Sequence, residues 1–349
     1  MLFDERPKEE RRDLFGRERE LEELKRAAKR PLVLLLGIRR IGKTSLLKVA
    51  LKELGRPTLL LDARNLGENY GRRELYSHLA NSLQPLLPKM ERVLRAVRGV
   101  RILGTEVELR WKGEETFSLS ELFDKLDREG AVIAIDEAQR LRGPLSPEIR
   151  NALAHAYDYD RNLTFILTGS EVGLLRDFLG IEDEASPLYG RYAHEVVLDR
   201  FEREKSLEFL RKGFEEAGRR VDEGVLERAV EELDGIPGWL TFFGNSYLSG
   251  KPDLPSIKRK AVGLAMEELK HLLKGRPKRY GLVLKAVAEG KGGWSEVKRY
   301  VEEREGCTLS TSVLHNILEN LEKMSILKDY TFLDPVYREA AKLLYPKLV

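Results

Sequence analysis

The sequence predicts an α/β fold over its first 200 residues, namely a five-stranded parallel sheet with helices on both faces. Three observations support this prediction. Short apolar runs alternate with amphipathic helical stretches, a glycine-containing loop joins the first run to a helix, and after Phe201 the pattern is helical only. Apolar strands separated by helices are typical of a parallel sheet covered on both faces. The later segments predict an all-helical lid followed by a winged-helix domain.

The predicted core elements alternate along the chain. Strands are expected at 31–36, 57–63, 131–136, 163–169 and 194–200. Helices are expected at 43–54, 73–87, 118–129, 146–158 and 171–179. Ser118 and Glu121 have the spacing of a capping box at the start of the third helix. The alternation in 100–112 predicts a two-stranded hairpin, in which Trp111 is expected to pack against neighbours.

The rest of the chain divides at the basic segment KGRPKR, residues 274–279. Before it, helices are expected at 202–217, 222–234, 238–249 and 256–274. After it, three helices and a short ribbon are expected, at 280–289, 294–304, 310–324 and 326–333. This order is typical of a winged helix-turn-helix. We therefore predict three domains, which are a core over 1–200, a helical lid over 201–274 and a winged helix over 275–349.

Composition narrows the classes of protein. Hydrophobic residues make up 42% of the chain, which is enough for real cores, and the net charge is +3 although 34% of residues are charged. That balance gives no global argument for nucleic-acid binding. Cys307 is the single cysteine, so an internal disulfide and a four-cysteine zinc site are excluded. The abundance of Lys, Arg and Glu beside two glutamines fits a heat-adapted (thermophile) protein.

The sequence gives no sign of a membrane segment. The N-terminus is charged from its first residues and lacks an apolar signal core. The longest apolar run, PLVLLLGI, is far shorter than the roughly 20 residues that cross a bilayer. We expect a cytoplasmic protein without membrane contact.

A phosphate-binding loop follows the first predicted strand. Gly37, Gly42, Lys43 and Thr44 have the G-x-x-x-x-G-K-[ST] spacing of a Walker A motif. The glycines let the backbone N–H groups face the phosphates, and the following helix adds the positive end of its dipole. Lys43 is expected to reach the β- and γ-phosphates of ATP or ADP, and Thr44 to ligate Mg²⁺. Other residues of the loop expected to contact the nucleotide are Arg39, Arg40, Ile41 and Ser45. The two arginines are expected to face either phosphate or a partner protein.

An acidic pair supplies the second half of the expected site. Asp136 ends the apolar run AVIAID, so it is expected at the carboxyl edge of the sheet as a Mg²⁺ ligand, in a Walker B position. Glu137 follows directly and is expected to polarise the attacking water, which favours hydrolysis over nucleotide storage. Ser170 follows the strand LTFILTG and is expected to hold that water or to contact the γ-phosphate.

An arginine is expected to neutralise the charge that develops on the γ-phosphate oxygens. Arg191 precedes the fifth predicted strand and is our candidate, acting in cis or from a neighbouring subunit. Arg200, at the end of that strand, is a weaker candidate.

Together these motifs resemble the AAA+-related ATPases, specifically the STAND-type archaeal ATPase family. The resemblance covers nearly the whole chain and rests on FGRERELEEL, GIRRIGKTSLL, AIDEAQ, LTGSEVG, SPLYGR, GIPGWL and TFLDPVYREAAK. It implies an ASCE-type P-loop core, adenine contacts from Phe15, Gly16, Arg17 and Glu18, and a lid contact from Pro237. The YGR segment supports Arg191 as an arginine finger. The lid has no clear second-sensor arginine, which argues against a processive unfoldase ring.

Two functions stay open at this stage. The first is a regulatory switch with slow ATPase activity, in which MgATP binds between core and lid and the output is a protein contact or a homo-oligomer. The second is a DNA-associated ATPase akin to the origin-recognition initiators, which binds duplex DNA through residues 275–335. The stretch 274–304 has nine Lys or Arg against four Glu, and the helix at 310–324 begins with polar residues. A third possibility, an inactive scaffold, is weakened by the intact Lys43, Thr44, Asp136 and Glu137.

Overall fold

The computed structural model describes residues 1–67, 69–110, 112–113, 116–250 and 253–344. Its contacts divide the chain into two compact units. One unit contains residues 8–37 and 43–198, and we call it the core unit. The other contains residues 1–7, 38–42 and 199–349, and we call it the helical unit. The predicted position of Trp111 lies outside the described residues.

The core unit is built on the predicted five-stranded parallel sheet. Its strand order is β2-β5-β6-β1-β7, and every neighbouring pair is parallel. These five strands are β1 (Leu32–Leu36), β2 (Thr58–Asp62), β5 (Val132–Asp136), β6 (Thr164–Gly169) and β7 (His194–Val197). The predicted hairpin is formed by two antiparallel strands, β3 (Val100–Leu103) and β4 (Glu106–Leu109).

Helices connect these strands. The described helices of the core unit are α1 (Glu18–Ala27), α2 (Lys43–Leu54), α3 (Arg72–Leu83), α4 (Leu87–Arg95), α5 (Leu119–Asp127), α6 (Ser146–Tyr159) and α7 (Val172–Leu179). Of these, α1 and α4 were not predicted. Along β1, Leu32, Leu34 and Leu36 pack into one large cluster, while the alternate residues Val33 and Leu35 are buried too. Strand β1 is therefore covered on both faces, as an apolar strand of a parallel sheet should be.

The predicted lid helices and the winged helix belong to the same compact unit, the helical unit. Its first four helices are α8 (Arg203–Glu216), α9 (Glu223–Leu233), α10 (Pro237–Leu248) and α11 (Leu254–Leu272). The winged helix contributes α12 (Arg279–Ala288), α13 (Trp294–Glu305), α14 (Thr311–Lys323), β8 (Leu327–Lys328), β9 (Thr331–Phe332) and α15 (Pro335–Lys342). The last helix, α15, was not predicted, and it packs against both α11 and α12.

Phe3 helps to hold the helical unit together. Its ring makes edge contacts with Phe209 and Phe214, at centroid distances of 5.8 and 4.9 Å. Gly213 and Gly244 leave space for it, because a Cβ atom at either position would lie within 2.6 Å of the Phe3 ring. Among the described residues, no helix is long and apolar enough to span a membrane.

Candidate nucleotide-binding site

The loop between β1 and α2 has the backbone that its glycines predict. Gly37 and Gly42 both have positive φ angles, of 148° and 101°. A Cβ atom at Gly42 would meet nothing within 4 Å, so the backbone conformation and not crowding requires glycine there. Lys43 begins α2 and is buried, and its Nζ donates to the carbonyl oxygen of Gly37 at 2.8 Å. The lysine therefore folds back along its own loop.

Asp136 ends β5 and is 2% exposed. Thr44 Oγ1 donates to its Oδ2 at 2.8 Å, and Thr168 Oγ1 donates to its Oδ1 at 2.5 Å. The structure thus brings the Walker A threonine and the Walker B aspartate into direct contact, as their expected shared ligand requires. Thr168, at the end of β6, adds a contact that the sequence analysis did not assign.

Glu137 is held by the end of β6. Its backbone is left-handed, with a φ of 54°, and its N–H donates to Thr168 Oγ1 at 3.0 Å. Its Oε2 accepts hydrogen bonds from Gln139 Nε2 at 2.6 Å, from Ser170 N at 3.2 Å and from Ser170 Oγ. Ser170 therefore binds the expected general base in this structure. Gln139 is a further site residue that sequence reasoning missed.

A second acidic strand end lies beside Asp136. Asp62 ends β2 and pairs in register with Asp136. Arg64 donates to both Asp62 oxygens, at 2.8 and 2.6 Å, and its Nη2 is 3.7 Å from Asp136 Oδ2. Burial acts to raise the pKa of Asp62, but the hydrogen bonds and charge of Arg64 lower it overall. The sequence contained a sign of Asp62, because the apolar run of TLLLDAR ends in an aspartate, as the run of AVIAIDE does.

The core unit contains further residues that were predicted to contact the nucleotide. Arg17 is the N-terminal flanking residue of α1, is 4% exposed, and donates to Glu20 Oε1 at 2.9 Å. Gly16 has a positive φ of 66°, and Phe15 is half-buried. Ser45 Oγ accepts the N–H of Lys8 at 3.0 Å.

The remaining predicted nucleotide contacts belong to the helical unit. Ile41 is fully buried, and Pro237 is the first residue of α10. Arg39 is half-buried, and the guanidinium of Arg40 lies over the Trp239 ring at 4.0 Å. Arg40 thus contacts the Trp239 side chain within the helical unit.

Both candidate finger arginines are engaged in ion pairs. Arg191 donates to both oxygens of Asp158, at 3.0 and 2.6 Å, and its Nη1 donates to the carbonyl oxygen of Pro187. The Asp158 contact raises the pKa of Arg191. Arg200, in the helical unit, pairs with Asp234 and donates to the carbonyl oxygen of Leu333 at 2.9 Å. A role at the γ-phosphate would require Arg191 to leave Asp158.

The oxygen donors at the sheet edge suit magnesium. Thr44 and Asp136 present a hydroxyl and a carboxylate already within hydrogen-bond distance of each other. Mg²⁺ prefers oxygen ligands and usually takes one or two protein groups, with phosphates and waters completing its shell. The residues present therefore fit a nucleotide-bound magnesium ion. A parallel sheet of this order with this loop and acidic strand end defines a P-loop NTPase fold.

Comparisons with known proteins agree with this class. The model of a family described as an ATPase domain predominantly from Archaea matches residues 14–243. The model of the MCM protein C-terminal winged helix-turn-helix domain matches residues 274–338. The chain belongs to this family of archaeal ATPases, with a winged-helix domain after the matched region. No curated protein matches the chain.

Solved structures include similar chains. The Walker-type ATPase PABY2304 of Pyrococcus abyssi is 40% identical with a TM-score of 0.84, and the match covers 98% of this chain and all of that one. The RuvB Holliday junction branch migration motor of Thermotoga maritima is 16% identical with a TM-score of 0.45, over 94% and 93% of the two chains. The ORC1 protein of Aeropyrum pernix, solved in complex with DNA, is 18% identical with a TM-score of 0.44, over 90% and 84%.

Proposed function

We propose that the protein binds MgATP at its phosphate loop and hydrolyses it slowly, as a nucleotide-driven regulatory switch. The contact of Asp136 with Thr44, next to a fixed Glu137, is the observation that supports this most. An intact acidic pair beside the loop favours hydrolysis over storage, because storage needs no residue to activate water.

Each side chain has a distinct role in this proposal. Lys43 leaves the Gly37 carbonyl and binds the β- and γ-phosphates. Thr44 and Asp136 would hold a magnesium ion, which when bound would neutralise phosphate charge. Glu137 accepts the proton of the attacking water, and Ser170 with Gln139 orients its carboxylate. Arg191 is proposed to neutralise the γ-phosphate after release from Asp158, in cis or from a second copy.

The phosphate-loop lysine provides the first test. Lys43→Ala should abolish binding of a fluorescent ATP analogue, measured by titration with Mg²⁺ present. Lys48→Ala is the matched control, since Lys48 lies on the same helix and pairs with exposed Glu9. Equal affinity of Lys43→Ala and Lys48→Ala would sink the site assignment.

The general base provides the second test. Glu137→Gln should bind ATP with near-normal affinity but turn it over ~100-fold or more slowly, the range typical of a lost general base. Phosphate release under single-turnover conditions measures this step. Wild-type turnover in Glu137→Gln would remove this residue from the mechanism.

One observation favours the DNA-associated alternative as a second candidate. The residues that open α14 are solvent-exposed, as a DNA-reading helix requires, and they are Ser310, Thr311, Ser312, His315 and Asn316. Against it, two cations of the basic stretch 274–304 are paired, Arg279 with Glu305 and Lys298 with Glu302. Few phosphate contacts are therefore ready-made in residues 275–335.

Fluorescence anisotropy distinguishes the two candidates. Glu137→Gln protein with ATP and wild-type protein with ADP would each be titrated into labelled duplex DNA at physiological salt. Binding that differs between nucleotide states and weakens in an Asn316→Ala variant supports the DNA-associated ATPase. Absence of even weak binding in both states favours a switch whose output is a protein contact.

A further inference from the structure

The phosphate loop contains a strained residue that is not glycine. Arg40 lies between Gly37 and Gly42 and has a φ of 63°, in the left-handed region that side chains rarely adopt. Such a conformation persists only where surrounding contacts over-determine it. In a phosphate loop it has a use, because left-handed residues turn successive N–H groups towards one centre. The question is therefore what holds Arg40 in place.

Three residues of the helical unit hold Arg40, and we call them the Arg40 clamp: Gly238, Trp239 and Glu268. The Arg40 guanidinium lies 4.0 Å from the centre of the Trp239 ring, and its Nη2 forms an ion pair with Glu268 Oε1. The Arg40 carbonyl oxygen accepts the N–H of Gly238 at 2.8 Å. Both ends of the residue, backbone and guanidinium, are thus fixed by partners outside the loop.

The close approach at Gly238 admits no side chain. A Cβ atom there would lie 2.6 Å from Arg40 Cβ and 2.9 Å from the Arg40 carbonyl oxygen. Any larger residue would displace the loop itself. The second glycine of the GIPGWL segment is therefore explained by the loop it touches.

The clamp continues into the last helix of the winged-helix domain. Glu268 Oε2 accepts the hydroxyl of Tyr337 at 2.8 Å, while its other oxygen pairs with Arg40. Trp239 is fully buried, and its Nε1 donates to Asp334 Oδ2 at 2.8 Å. Asp334 in turn caps α15, which contains Tyr337. A closed set of side chains therefore runs from the loop through α10 and α11 to α15 and back.

We propose that Arg40 is a positioning residue of the nucleotide site, whose left-handed backbone is maintained by the Arg40 clamp. This inference rests on the proposed function, since it assigns nucleotide affinity to the loop. The winged-helix domain thereby supports the loop through Glu268 and Tyr337. A ligand that shifts α15 changes nucleotide affinity, and by linkage the nucleotide changes affinity for that ligand by the same factor.

The test weakens the clamp at one residue, Glu268, without changing the loop sequence. Glu268→Gln neutralises the carboxylate that pairs with Arg40, and Glu267→Gln is its matched control, because Glu267 is the exposed neighbour that pairs with Lys270. Dissociation constants for fluorescent ADP with Mg²⁺ would be measured, with thermal unfolding of each protein recorded separately. We expect Glu268→Gln to weaken binding about fivefold or more, and Glu267→Gln to stay close to wild type.

Replacing Arg40 by glycine or by alanine distinguishes the effect of its backbone conformation from the effect of its charged side chain. Arg40→Gly and Arg40→Ala both remove the side-chain contacts with Trp239 and Glu268, but glycine adopts the left-handed conformation freely whereas alanine keeps the backbone cost. Arg40→Gly should therefore bind ADP more tightly than Arg40→Ala. Adding Glu268→Gln to Arg40→Gly should cause no further loss, because Glu268 then has no guanidinium at position 40 to pair with.

Several outcomes would overturn the proposal. Affinity of Glu268→Gln equal to that of Glu267→Gln would show that the clamp does not position the loop. An equal loss in the Arg40→Gly background would show that Glu268 acts elsewhere. If Glu268→Gln does not fold, equal affinities of Arg40→Gly and Arg40→Ala refute the idea. Failure of the wild-type protein to bind nucleotide refutes the proposed function itself, and this inference with it.

Discussion

Two aspartates in different units are buried to a similar extent but differ in their hydrogen-bond donors. Asp136 is 2% exposed and Asp334 is 5% exposed. Asp136 accepts from two hydroxyls, those of Thr44 and Thr168. A hydroxyl can rotate and also accept, so it can turn its lone pairs to a cation. Asp334 accepts from the indole of Trp239 and from two backbone N–H groups at the start of α15, which only donate.

The type of donor, and not burial, distinguishes the proposed metal-binding carboxylate of Asp136 from that of Asp334. Burial raises the pKa of Asp334, while the Trp239 indole and the backbone donors act in the opposite direction. Its donors, the Trp239 indole and two backbone N–H groups, can donate but cannot accept. The Asp136 carboxylate instead accepts from Thr44, whose hydroxyl the proposed magnesium ion also needs.

Asp136→Asn should give the largest effect of the substitutions that test this comparison. Loss of the acidic magnesium ligand should lower ATP turnover about a thousandfold, equivalent to ~4 kcal/mol of transition-state stabilisation. The free energy of unfolding should change by less than about 1 kcal/mol, because the amide oxygen still accepts one hydroxyl. Phosphate release at varied Mg²⁺ and urea unfolding measure the two quantities. An unchanged magnesium dependence would contradict the assignment.

Asp334→Ala should show the opposite pattern. It leaves the buried Trp239 N–H and the first N–H groups of α15 without an acceptor, so unfolding free energy should fall by about 3 kcal/mol. Asp334→Asn, which keeps one acceptor oxygen, should lose less. Chemical denaturation followed by tryptophan fluorescence and by circular dichroism checks both values. A stability equal to wild type in Asp334→Ala would remove its structural role.

The position and role of Asp136 could be predicted from the sequence, whereas those of Asp334 could not. Asp136 ends an apolar strand and precedes a glutamate, so its position at the sheet edge follows from neighbouring residues. The parallel five-stranded sheet, the hairpin and the phosphate loop were predicted for the same reason, and the structure confirms the sheet. Asp334 depends on Trp239, which lies 95 residues away in the chain. Local pattern contains no information about such a partner.

The missed elements have a similar explanation. Helices α1, α4 and α15 are short, of 10, 9 and 8 residues, and lie in highly charged or proline-containing stretches. Their helical state depends on packing, as when α15 contacts α11 and α12. Arg40 illustrates the same limit at the site. Its motif position was predicted, but the long-range pairing with Glu268 was not.

A third buried aspartate tests what happens when one carboxyl oxygen has no hydrogen-bond donor. Asp160 is 8% exposed, and within the described part of the chain no hydrogen bond reaches its Oδ2. Burial raises its pKa to about 7, with the carboxylates of Asp124 and Asp127 adding to the shift and His155 opposing it. The folded protein therefore binds a proton that the unfolded chain releases at lower pH.

The sign of the resulting pH dependence follows from linkage. The stabilising contribution of protonated Asp160 is complete below the unfolded pKa, near 4, and is lost as pH rises through about 7. The slope is at most ~1.4 kcal/mol per pH unit for one group. Between pH 4.5 and 8, about the window set by linkage, Asp160→Asn should remove this slope from the free energy of unfolding measured with urea. The control Glu182→Gln, at an exposed position, should retain the slope. Parallel curves for Asp160→Asn and wild type would contradict the assignment.

The smallest expected effect concerns a half-buried cap. Ser118 Oγ accepts the N–H of Glu121 at 3.4 Å, but the reciprocal half of the predicted capping box is replaced, since the Glu121 carboxylate accepts the N–H of Arg98 at 3.0 Å. Ser118→Ala should therefore lower unfolding free energy by only ~0.5–1 kcal/mol. Asp334 caps α15 in the same way yet should matter several times more, because water reaches a half-buried N–H more readily than a buried one. Urea unfolding of Ser118→Ala and Ser118→Asp checks this. A loss as large as that of Asp334→Ala would show that donor type and burial do not set the cost of a missing cap.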